Sequence, residues 1–383
     1  MTKPRRRWPR RAALGAAMVL VLAYAGVGWY ISGEIISALE VKPRTTTYDV
    51  DVVEVTADSI TLVVPESDEA VENLDAVMGL RWEGGYAQLG PGTTTAAGET
   101  RPFRLLEGDP PPIGADVAVF DGFAFPGDPA GLGLVFQTVT YPGPNGDLDA
   151  WFIPGEGSRW IVAIHGLGSP KREFLRMLDS LGDLAMPTLV ISYRNDPGAP
   201  PGSGSLILAG QREWADVAAA VDYALSEGAT DVVLSATSMG GALALSYLLE
   251  APDAPVVGAI LEAPNADLRQ VVGLRSGEAL PIGGPVGDSL LGVGRLITWI
   301  RTGVDFDTVD YVDRSGDLTV PILLFHGRDD DSVPFPVGES LAEARPDLVE
   351  FHPVDDAGHV KAWNEDPDEY RRIVTEFLEG LDG

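Results

Sequence analysis

The sequence predicts an α/β fold, a mostly parallel twisted sheet with helices on both faces, over residues 134–383. From residue 134 onward, short apolar runs typical of buried strands alternate with segments typical of helices. In addition, the apolar run at residues 232–234 passes through small residues directly into an apolar helix that begins near Met239. Before residue 134 the pattern is different, and we divide the chain into residues 1–31, 32–133 and 134–383.

Residues 1–31 predict a basic tail followed by a membrane helix. Residues 12–31 contain no charge over 20 positions, which is long enough to span a bilayer. A cleaved signal peptide with a site at Ala23-Tyr24-Ala25 is the alternative. Apolar and aromatic residues continue past that site to Trp29 and Tyr30, which favours an uncleaved single-pass anchor. In both cases the amino terminus stays in the cytoplasm and the rest is exported, because the charged residues before the apolar run are all basic: Lys3, Arg5, Arg6, Arg7, Arg10 and Arg11.

Residues 32–133 predict a small β-rich region. Short alternating runs at residues 48–55, 59–64, 80–89, 101–106 and 115–125 are typical of strands, and clusters of Gly, Pro and Thr separate them. No group of residues in this region suggests chemistry. We interpret it as a module or stalk between the membrane and the α/β domain.

The α/β region follows in a regular order. Residues 135–141 and 148–153 predict a hairpin, and further strands are predicted at 160–164, 188–192, 256–261, 320–325 and 348–352. Helices are predicted at 171–181, 211–226 and 368–381. The segment 263–319 contains an amphipathic stretch at 290–300, which is either a lid over an acyl pocket or a helix that covers the sheet.

Composition excludes several classes of function. The chain has no Cys, so disulfides, thiolate zinc sites and a Cys nucleophile are ruled out. A net charge of −30 argues against a nucleic-acid partner. No phosphate-binding, dinucleotide-binding or zinc-protease motif is present, and we predict neither a cofactor nor a metal.

The turn between the strand at 232–234 and its helix has the pattern of a nucleophile elbow. Ser238 stands at the turn, with Ala236 two residues before it and Gly240 two residues after it. A sharp strand-to-helix turn lifts the Ser hydroxyl out of the sheet and crowds the positions on either side, so these must be small. The helix N-terminus behind the Ser favours developing negative charge.

A Ser hydroxyl needs a base, and the base needs an orienting acid. Of the four His residues, His359 lies in a loop after the last predicted strand, where α/β sheets place their chemistry, whereas His352 lies in that strand and is interpreted as packed or surface. The loop after the strand at 320–325 supplies three consecutive carboxylates, Asp329, Asp330 and Asp331. The order Ser, Asp, His is that of the α/β-hydrolases.

Residues from about 134 to 383 resemble the α/β-hydrolase superfamily, and within it the lid-poor serine aminopeptidase and monoacylglycerol-lipase-like branch. The resemblance rests on His165-Gly166-Leu167-Gly168, Ser192-Tyr193-Arg194-Asn195-Asp196, Ser238-Met239-Gly240-Gly241, His326-Gly327-Arg328-Asp329-Asp330-Asp331-Ser332-Val333-Pro334 and Gly358-His359. It implies that the acid is Asp330, and that the backbone N–H groups of Leu167 and Met239 form the oxyanion hole. Ala236 departs from the glycine that the family usually has at that position.

These patterns together predict a membrane-anchored serine hydrolase that cleaves small-molecule acyl esters through Ser238, His359 and Asp330. A serine peptidase of the aminopeptidase type is an alternative, but it needs a carboxylate that binds the substrate amine, and the sequence identifies none. A non-catalytic binding domain on the same fold is a third possibility. It is disfavoured because all three residue types of the triad are present.

Overall fold

The computed structural model describes residues 8–42, 45–64, 74–182, 184–202, 204–279 and 284–381. Of the predicted basic tail, Lys3, Arg5, Arg6 and Arg7 lie outside these residues. The described chain contains two β-sheets, one in the amino-terminal region and one in the α/β region. A long helix, α1 (Trp8–Ala38), precedes both.

The α/β region is built on an eight-stranded sheet of order β15-β14-β13-β12-β10-β11-β9-β8. Strands β10 to β15 pair in parallel, and β9 and β8 join one edge in antiparallel fashion. The strands are β8 (Gln137–Gly143), β9 (Gly146–Ile153), β10 (Arg159–Ile164), β11 (Thr188–Ile191), β12 (Asp231–Thr237), β13 (Val256–Glu262), β14 (Ile322–Gly327) and β15 (Val349–Val354). This is the α/β-hydrolase fold that the sequence predicted.

Helices cover both faces of this sheet. They are α2 (Leu175–Ser180), α3 (Trp214–Ser226), α4 (Met239–Glu250), α5 (Leu268–Ala279), α6 (Gly284–Thr302), α7 (Phe335–Ala344), α8 (Ala362–Glu365) and α9 (Pro367–Gly380). Helices α3 and α4 pack on one face and α2 and α9 on the other, so the central strands are buried on both sides. Continuous apolar runs such as 232–234 are the consequence.

The amino-terminal sheet closes into a barrel of six antiparallel strands. Its order is β2-β1-β7-β3-β4-β6, with β6 pairing back to β2, and a short seventh strand, β5, extends from β6. The strands are β1 (Val50–Val55), β2 (Ser59–Val63), β3 (Met78–Trp82), β4 (Gly85–Leu89), β5 (Thr93–Thr95), β6 (Gly98–Gly108) and β7 (Gly114–Asp121). The barrel interior is filled with apolar side chains such as Leu62 and Leu80.

Two sequence-based expectations differ from the structure. Residues 80–89, predicted as one run, form the hairpin β3–β4, because Glu83 and Gly84 turn the chain with Gly84 at φ +86°. The segment 263–319 contains two helices, α5 and α6, of which only the second was predicted.

Helix α1 is partly free and partly packed. Residues Ala13–Ala38 are, within the described chain, the one helix long and apolar enough to cross a membrane, as an anchor or a signal sequence would be. Its carboxyl-terminal half joins the main core of the α/β region, where Ile31, Ile35 and Leu39 are buried. The last part of α1 therefore belongs to the folded α/β region.

Candidate active site

Ser238 occupies the predicted sharp turn between β12 and α4. Its backbone has φ +51° and ψ −119°, a strained conformation for a residue with a Cβ. The turn is fixed on both sides, because the Ser238 N–H donates to the Glu262 carbonyl at 2.9 Å and the Ser238 carbonyl accepts from Gly241 and Asn265, each at 3.0 Å. These bonds hold the hydroxyl at the carboxyl edge of the sheet.

The residues around the turn are small because the backbones approach closely. A Cβ at Gly240 would collide with the Ile164 carbonyl oxygen of the neighbouring strand β10. A Cβ at Gly241 would lie 2.5 Å from Pro264 Cβ. Ala236, at the position where the resemblance implies glycine, is buried in β12, so the strand has room for its methyl group.

His359 lies between Ser238 and Asp330. Its Nε2 is 2.9 Å from Ser238 Oγ, and its Nδ1 is 2.8 Å from Asp330 Oδ2. The second carboxylate oxygen of Asp330 accepts the backbone N–H groups of Ser332 at 2.9 Å and Val333 at 2.8 Å. The three side chains therefore form one hydrogen-bonded chain.

The charge of Asp330 is stabilised by its surroundings. Burial would raise the pKa of this carboxyl group, but hydrogen bonds from His326 and His359 and the Val333 N–H bring the pKa well below its usual range. His326 also lies 2.9 Å from the Val333 carbonyl oxygen. A carboxylate that stays ionised is suited to orient and stabilise a protonated imidazole.

Of the other candidates from the sequence, Asp329, Asp331 and His352 lie outside this hydrogen-bonded chain, and Leu167 and Met239 lie beside it. Asp329 and Asp331 are exposed, and Asp331 accepts from the Ser332 hydroxyl at 3.1 Å. His352 lies on β15 and interacts with Glu350 at 2.8 Å. Leu167 and Met239 both line the cavity that contains Ser238 and His359.

Glu173, which the sequence did not suggest, supports the loop that carries Leu167. Its buried carboxylate accepts the Gly166 N–H at 2.9 Å, the Thr237 hydroxyl at 2.8 Å and the Ser169 hydroxyl at 3.2 Å. Burial would raise the pKa of Glu173, but Arg176 and the Gly166 N–H bring it below its usual value. The only local sequence signal was an acidic residue in the first turn of a helical segment next to the His-Gly motif.

A second network holds the same loop from the other side. His165 Nε2 is 2.9 Å from Asp196 Oδ2, and its ring stacks on Tyr193 with centroids 4.7 Å apart. The Tyr193 hydroxyl donates to the Gly166 carbonyl at 3.0 Å. The loop at 165–168 is therefore held by Glu173, which precedes α2, and by Tyr193 and Asp196, which follow β11.

A cavity of about 860 Å³ opens in front of Ser238 and His359. Three parts of the chain outside the loops that carry Ser238 and His359 contribute to its walls. The β-barrel and the segment after β7 contribute Arg81, Phe120 and Phe123, the end of α1 contributes Ser37 and Ala38, and α5 contributes Leu268, Val271 and Val272. Within segment 263–319, Asn265 and helix α5 border the site, whereas α6 packs against α1.

The barrel is attached directly beside Ser238 and His359. Asn364 exchanges hydrogen bonds with the backbone of Val77, at 2.7 and 2.6 Å. Arg176 donates to the carbonyls of Gly122 in the segment after β7 and of Val360, next to His359, at 3.2 and 2.7 Å. The amino-terminal region therefore forms a wall of the site.

Three carboxylates of the described residues line the cavity, and two of them, Asp121 and Glu173, have charged partners. Asp121 forms an ion pair with Arg172 at 2.7 Å, Glu40 accepts from the Ser205 hydroxyl at 3.0 Å, and Glu173 is bound as described. Within the described residues no group of three or more His, Asp or Glu is placed to hold a metal ion.

Comparison with known proteins agrees with this architecture. The sequence profile of the Alpha/beta hydrolase family matches residues 161–373. An esterase from Pyrococcus furiosus superposes with a TM-score of 0.53 at 18% identity, covering 68% of this chain and 98% of the esterase, and a second crystal form of it gives 0.53 at 20%, covering 68% and 96%. At this identity the likeness concerns the fold.

One curated relative also matches over part of its length. It is a 2-hydroxy-6-oxononadienedioate/2-hydroxy-6-oxononatrienedioate hydrolase from Dechloromonas aromatica, 39% identical over 69 residues. The match spans 18% of this chain and 23% of that hydrolase.

Proposed function

This hydrolase belongs to the alpha/beta hydrolase family, and we propose that it is a serine esterase that acts on small-molecule acyl esters. The proposal rests on one observation, the hydrogen-bonded chain from Ser238 through His359 to Asp330. The strained backbone of Ser238 supports it, because such strain is typical of a nucleophile elbow. The esterase from Pyrococcus furiosus is consistent with this choice of substrate class.

In this mechanism Ser238 Oγ attacks the acyl carbonyl carbon while His359 Nε2 takes the hydroxyl proton. Asp330 keeps the proton on Nδ1 and stabilises the imidazolium. The N–H groups of Leu167 and Met239 stabilise the oxyanion. Collapse breaks the ester bond, and His359 gives its proton to the departing alkoxide. Water then attacks the acyl-Ser238 with His359 as base, which releases the carboxylic acid and restores the hydroxyl.

An aminopeptidase is the alternative within the same fold. Such an enzyme needs a carboxylate that is available to the substrate's ammonium group. Asp121 and Glu173 already have charged partners, which favours ester over aminoacyl substrates at these two positions. Glu40 is exposed and accepts one Ser205 hydroxyl bond, so it is the acid at which binding of an ammonium group is tested.

Labelling and turnover test this function together. An alkyl fluorophosphonate should form an adduct on Ser238, with loss of fluoride, and peptide mapping locates it. Ser238→Ala should abolish the adduct and ester turnover, whereas Ser169 and Ser205 should stay unmodified. An unlabelled but folded protein would contradict the serine mechanism. Faster cleavage of aminoacyl amides than of the matching esters would replace the esterase with the peptidase.

We further propose that α1 is an uncleaved anchor with the catalytic domain outside the cytoplasm. The basic residues before the apolar run support this orientation. The helix continues without a break through the alternative cleavage site at Ala23-Tyr24-Ala25, and Tyr24 within that site lies 3.3 Å from the Ser289 hydroxyl, which supports retention of the helix. Protease added to intact cells should digest the catalytic domain. Protection of the domain, while an outer-face control protein is cut, would reverse the orientation.

A further inference from the structure

Helices α1 and α6 pack side by side and run in the same direction. Residue numbers rise together along the contact, which pairs Tyr24 with Ser289, Gly28 with Val293, Ile31 with Gly294 and Ser32 with Arg301. The helices approach closely because the contact contains glycines, and a Cβ added to Gly28 would lie 2.5 Å from Val293 Cγ1. Small residues at a helix contact are typical of pairs within membranes.

The free part of α1 is too short to cross a bilayer alone. Residues 13–23 are exposed on all sides, and packing against the domain begins at Tyr24. These residues extend about 16 Å at 1.5 Å per residue, whereas the hydrocarbon core of a bilayer is about 30 Å thick. A spanning α1 must therefore include residues 24–31, and the part of α6 beside them then lies at the depth of the outer leaflet.

The side of α6 that the protein leaves uncovered carries four large apolar side chains, together with the exposed polar residues Asp288 and Ser289. Gly287, Leu290, Gly294 and Thr298 form its buried face. Its exposed large side chains are Val286 at 52%, Leu296 at 54%, Trp299 at 53% and Ile300 at 68%. At 3.6 residues per turn, Val286, Leu296 and Ile300 lie on one stripe, which includes Ser289, whereas Trp299 lies at its edge beside Asp288 and Arg295. Beside a spanning α1, the stripe of Val286, Leu296 and Ile300 is suited to contact with acyl chains.

Aromatic side chains indicate the level of that interface. The Arg301 guanidinium lies 4.4 Å from the centroid of the Trp29 ring and also donates to Ser32 at 3.0 Å. Tyr30 and Trp299 are exposed in the same part of the helix pair. Trp, Tyr and Arg are enriched where the acyl chains meet the headgroups.

We propose that α6 inserts its exposed apolar face into the outer leaflet beside α1, and that the site accepts acyl esters that reside in the bilayer. The proposal rests on the proposed esterase function and anchor. Ser37 and Ala38, in the last turn of α1, line the catalytic cavity. They follow Tyr30 by two helical turns, or about 10 Å. One wall of the cavity that contains Ser238 therefore lies about two helical turns from the proposed interface.

The absence of Cys makes this placement directly measurable. Nitroxide labels are attached to Leu296→Cys and Ile300→Cys in the full chain, reconstituted in phosphatidylcholine vesicles. Leu20→Cys on the free part of α1 is the lipid control. Ile113→Cys is the water control, because this apolar residue is 69% exposed on the barrel. Relaxation by oxygen, which concentrates in lipid, is compared with relaxation by a water-soluble nickel chelate.

The labels at 296, 300 and 20 should be relaxed more strongly by oxygen than by the nickel chelate. The label at 113 should be relaxed more strongly by the nickel chelate. If nickel relaxes the labels at 296 and 300 while oxygen relaxes the label at 20, α6 lies in water and the proposal is overturned. Nickel access at all three would overturn it together with the anchor. These readouts need no turnover, so they are independent of whether Ser238 reacts with a fluorophosphonate.

The substrate class is tested by a ratio of rates. Turnover of a long-acyl ester dissolved in vesicles is divided by turnover of a water-soluble acetyl ester. Ile300→Asp should lower this ratio at least about fivefold, because a charge opposes insertion. Val135→Asp, at a residue 74% exposed outside the helix pair, should leave it unchanged. An unchanged ratio in Ile300→Asp, or an equal fall in Val135→Asp, would refute the bilayer as the source of substrate.

Discussion

Asp330 Oδ2 lies 2.8 Å from His359 Nδ1, at the end of the ring opposite Ser238. The side chain of Asp330 is fully buried, and two backbone N–H groups, of Ser332 and Val333, hold its other oxygen. Since a carboxylate only accepts hydrogen bonds, Nδ1 must carry the proton, and Nε2 is left to accept the Ser238 hydroxyl. The acid thereby selects the imidazole tautomer that the proposed mechanism requires.

Replacing Asp330 with Asn should lower kcat by up to about four orders of magnitude, because Asn can hold the wrong tautomer. Fold and thermal unfolding should change far less than turnover does. Asp329→Asn and Asp331→Asn are the matched controls, since both carboxylates are exposed neighbours in the same loop. Steady-state kinetics on a soluble ester decide the matter, and an essential Asp329 or Asp331 would shift the assignment within the loop.

Replacing His359 with Gln should be as damaging to turnover as replacing Ser238 with Ala. The double variant should be no slower than either single variant, because members of a triad act as a unit. His352→Gln should retain turnover, since His352 interacts with Glu350 on the surface of β15. Loss of activity in His352→Gln combined with normal turnover in His359→Gln would show that the base has been misassigned.

Much of the α/β region could be predicted because its signals are local. Continuous apolar runs identify buried parallel strands such as β10 and β12, and the small residues at 236, 240 and 241 follow from the steric demands of one turn. The residues at the ends of these strands converge because parallel strands place their carboxyl ends at one edge. Sequence order along the chain was therefore informative about proximity in space.

Contacts between distant segments could not be predicted in this way. Nothing local to Glu173 indicates that it is buried beneath Gly166 and Thr237, since its burial depends on donors from two other segments. The same holds for the barrel, whose strands were recognised but whose contribution to the cavity depends on how Val77 and Gly122 meet Asn364. Alternation of apolar residues predicts which face is buried and carries no information about the partner.

Two buried glutamates near the elbow should affect stability with opposite dependence on pH. Glu173 has a lowered pKa, because Arg176 and the Gly166 N–H outweigh its burial. Its ionised form thus stabilises the fold above the pKa of the unfolded chain, and this contribution is lost as the pH falls through the folded value. Glu173→Gln should lower the free energy of unfolding by about 1–3 kcal/mol at neutral pH, and the difference should shrink below about pH 4.

Glu262 is the matched control. Burial raises its pKa, although Arg176 and the Ala362 N–H oppose the shift. Its protonated form suits the fold, so this contribution is present at acid pH and is lost as the pH rises through the folded pKa. Glu262→Gln should therefore gain stability relative to the wild type as the pH rises. Denaturant unfolding at several pH values measures the free energy of unfolding of both variants. The same pH dependence in the two variants would contradict opposite pKa shifts of Glu173 and Glu262.

The barrel wall should influence which acyl or alcohol groups the site accepts. Phe123 lines the cavity and is held between Arg172, 4.6 Å from the ring centroid, and Arg176, 5.8 Å from it. Phe123→Ala removes part of this wall and so enlarges the cavity, and it leaves Ser238 and His359 unchanged. It should raise kcat/KM for bulky esters relative to acetyl esters by about tenfold, since a few methylene groups in an apolar pocket discriminate by at least that amount.

A comparison at a second aromatic residue separates this effect from a general loss of packing. Phe136 packs against Trp151 with ring centroids 5.8 Å apart and lies in the linker outside the cavity wall. Phe136→Ala should lower stability without changing the relative kcat/KM values across a series of acyl lengths. If Phe123→Ala also leaves the relative kcat/KM values across acyl lengths unchanged, the barrel adjoins the site without selecting its substrate. A shift confined to Phe123→Ala instead gives residues 32–133 a role in specificity, because the barrel then supplies the surface against which the substrate packs.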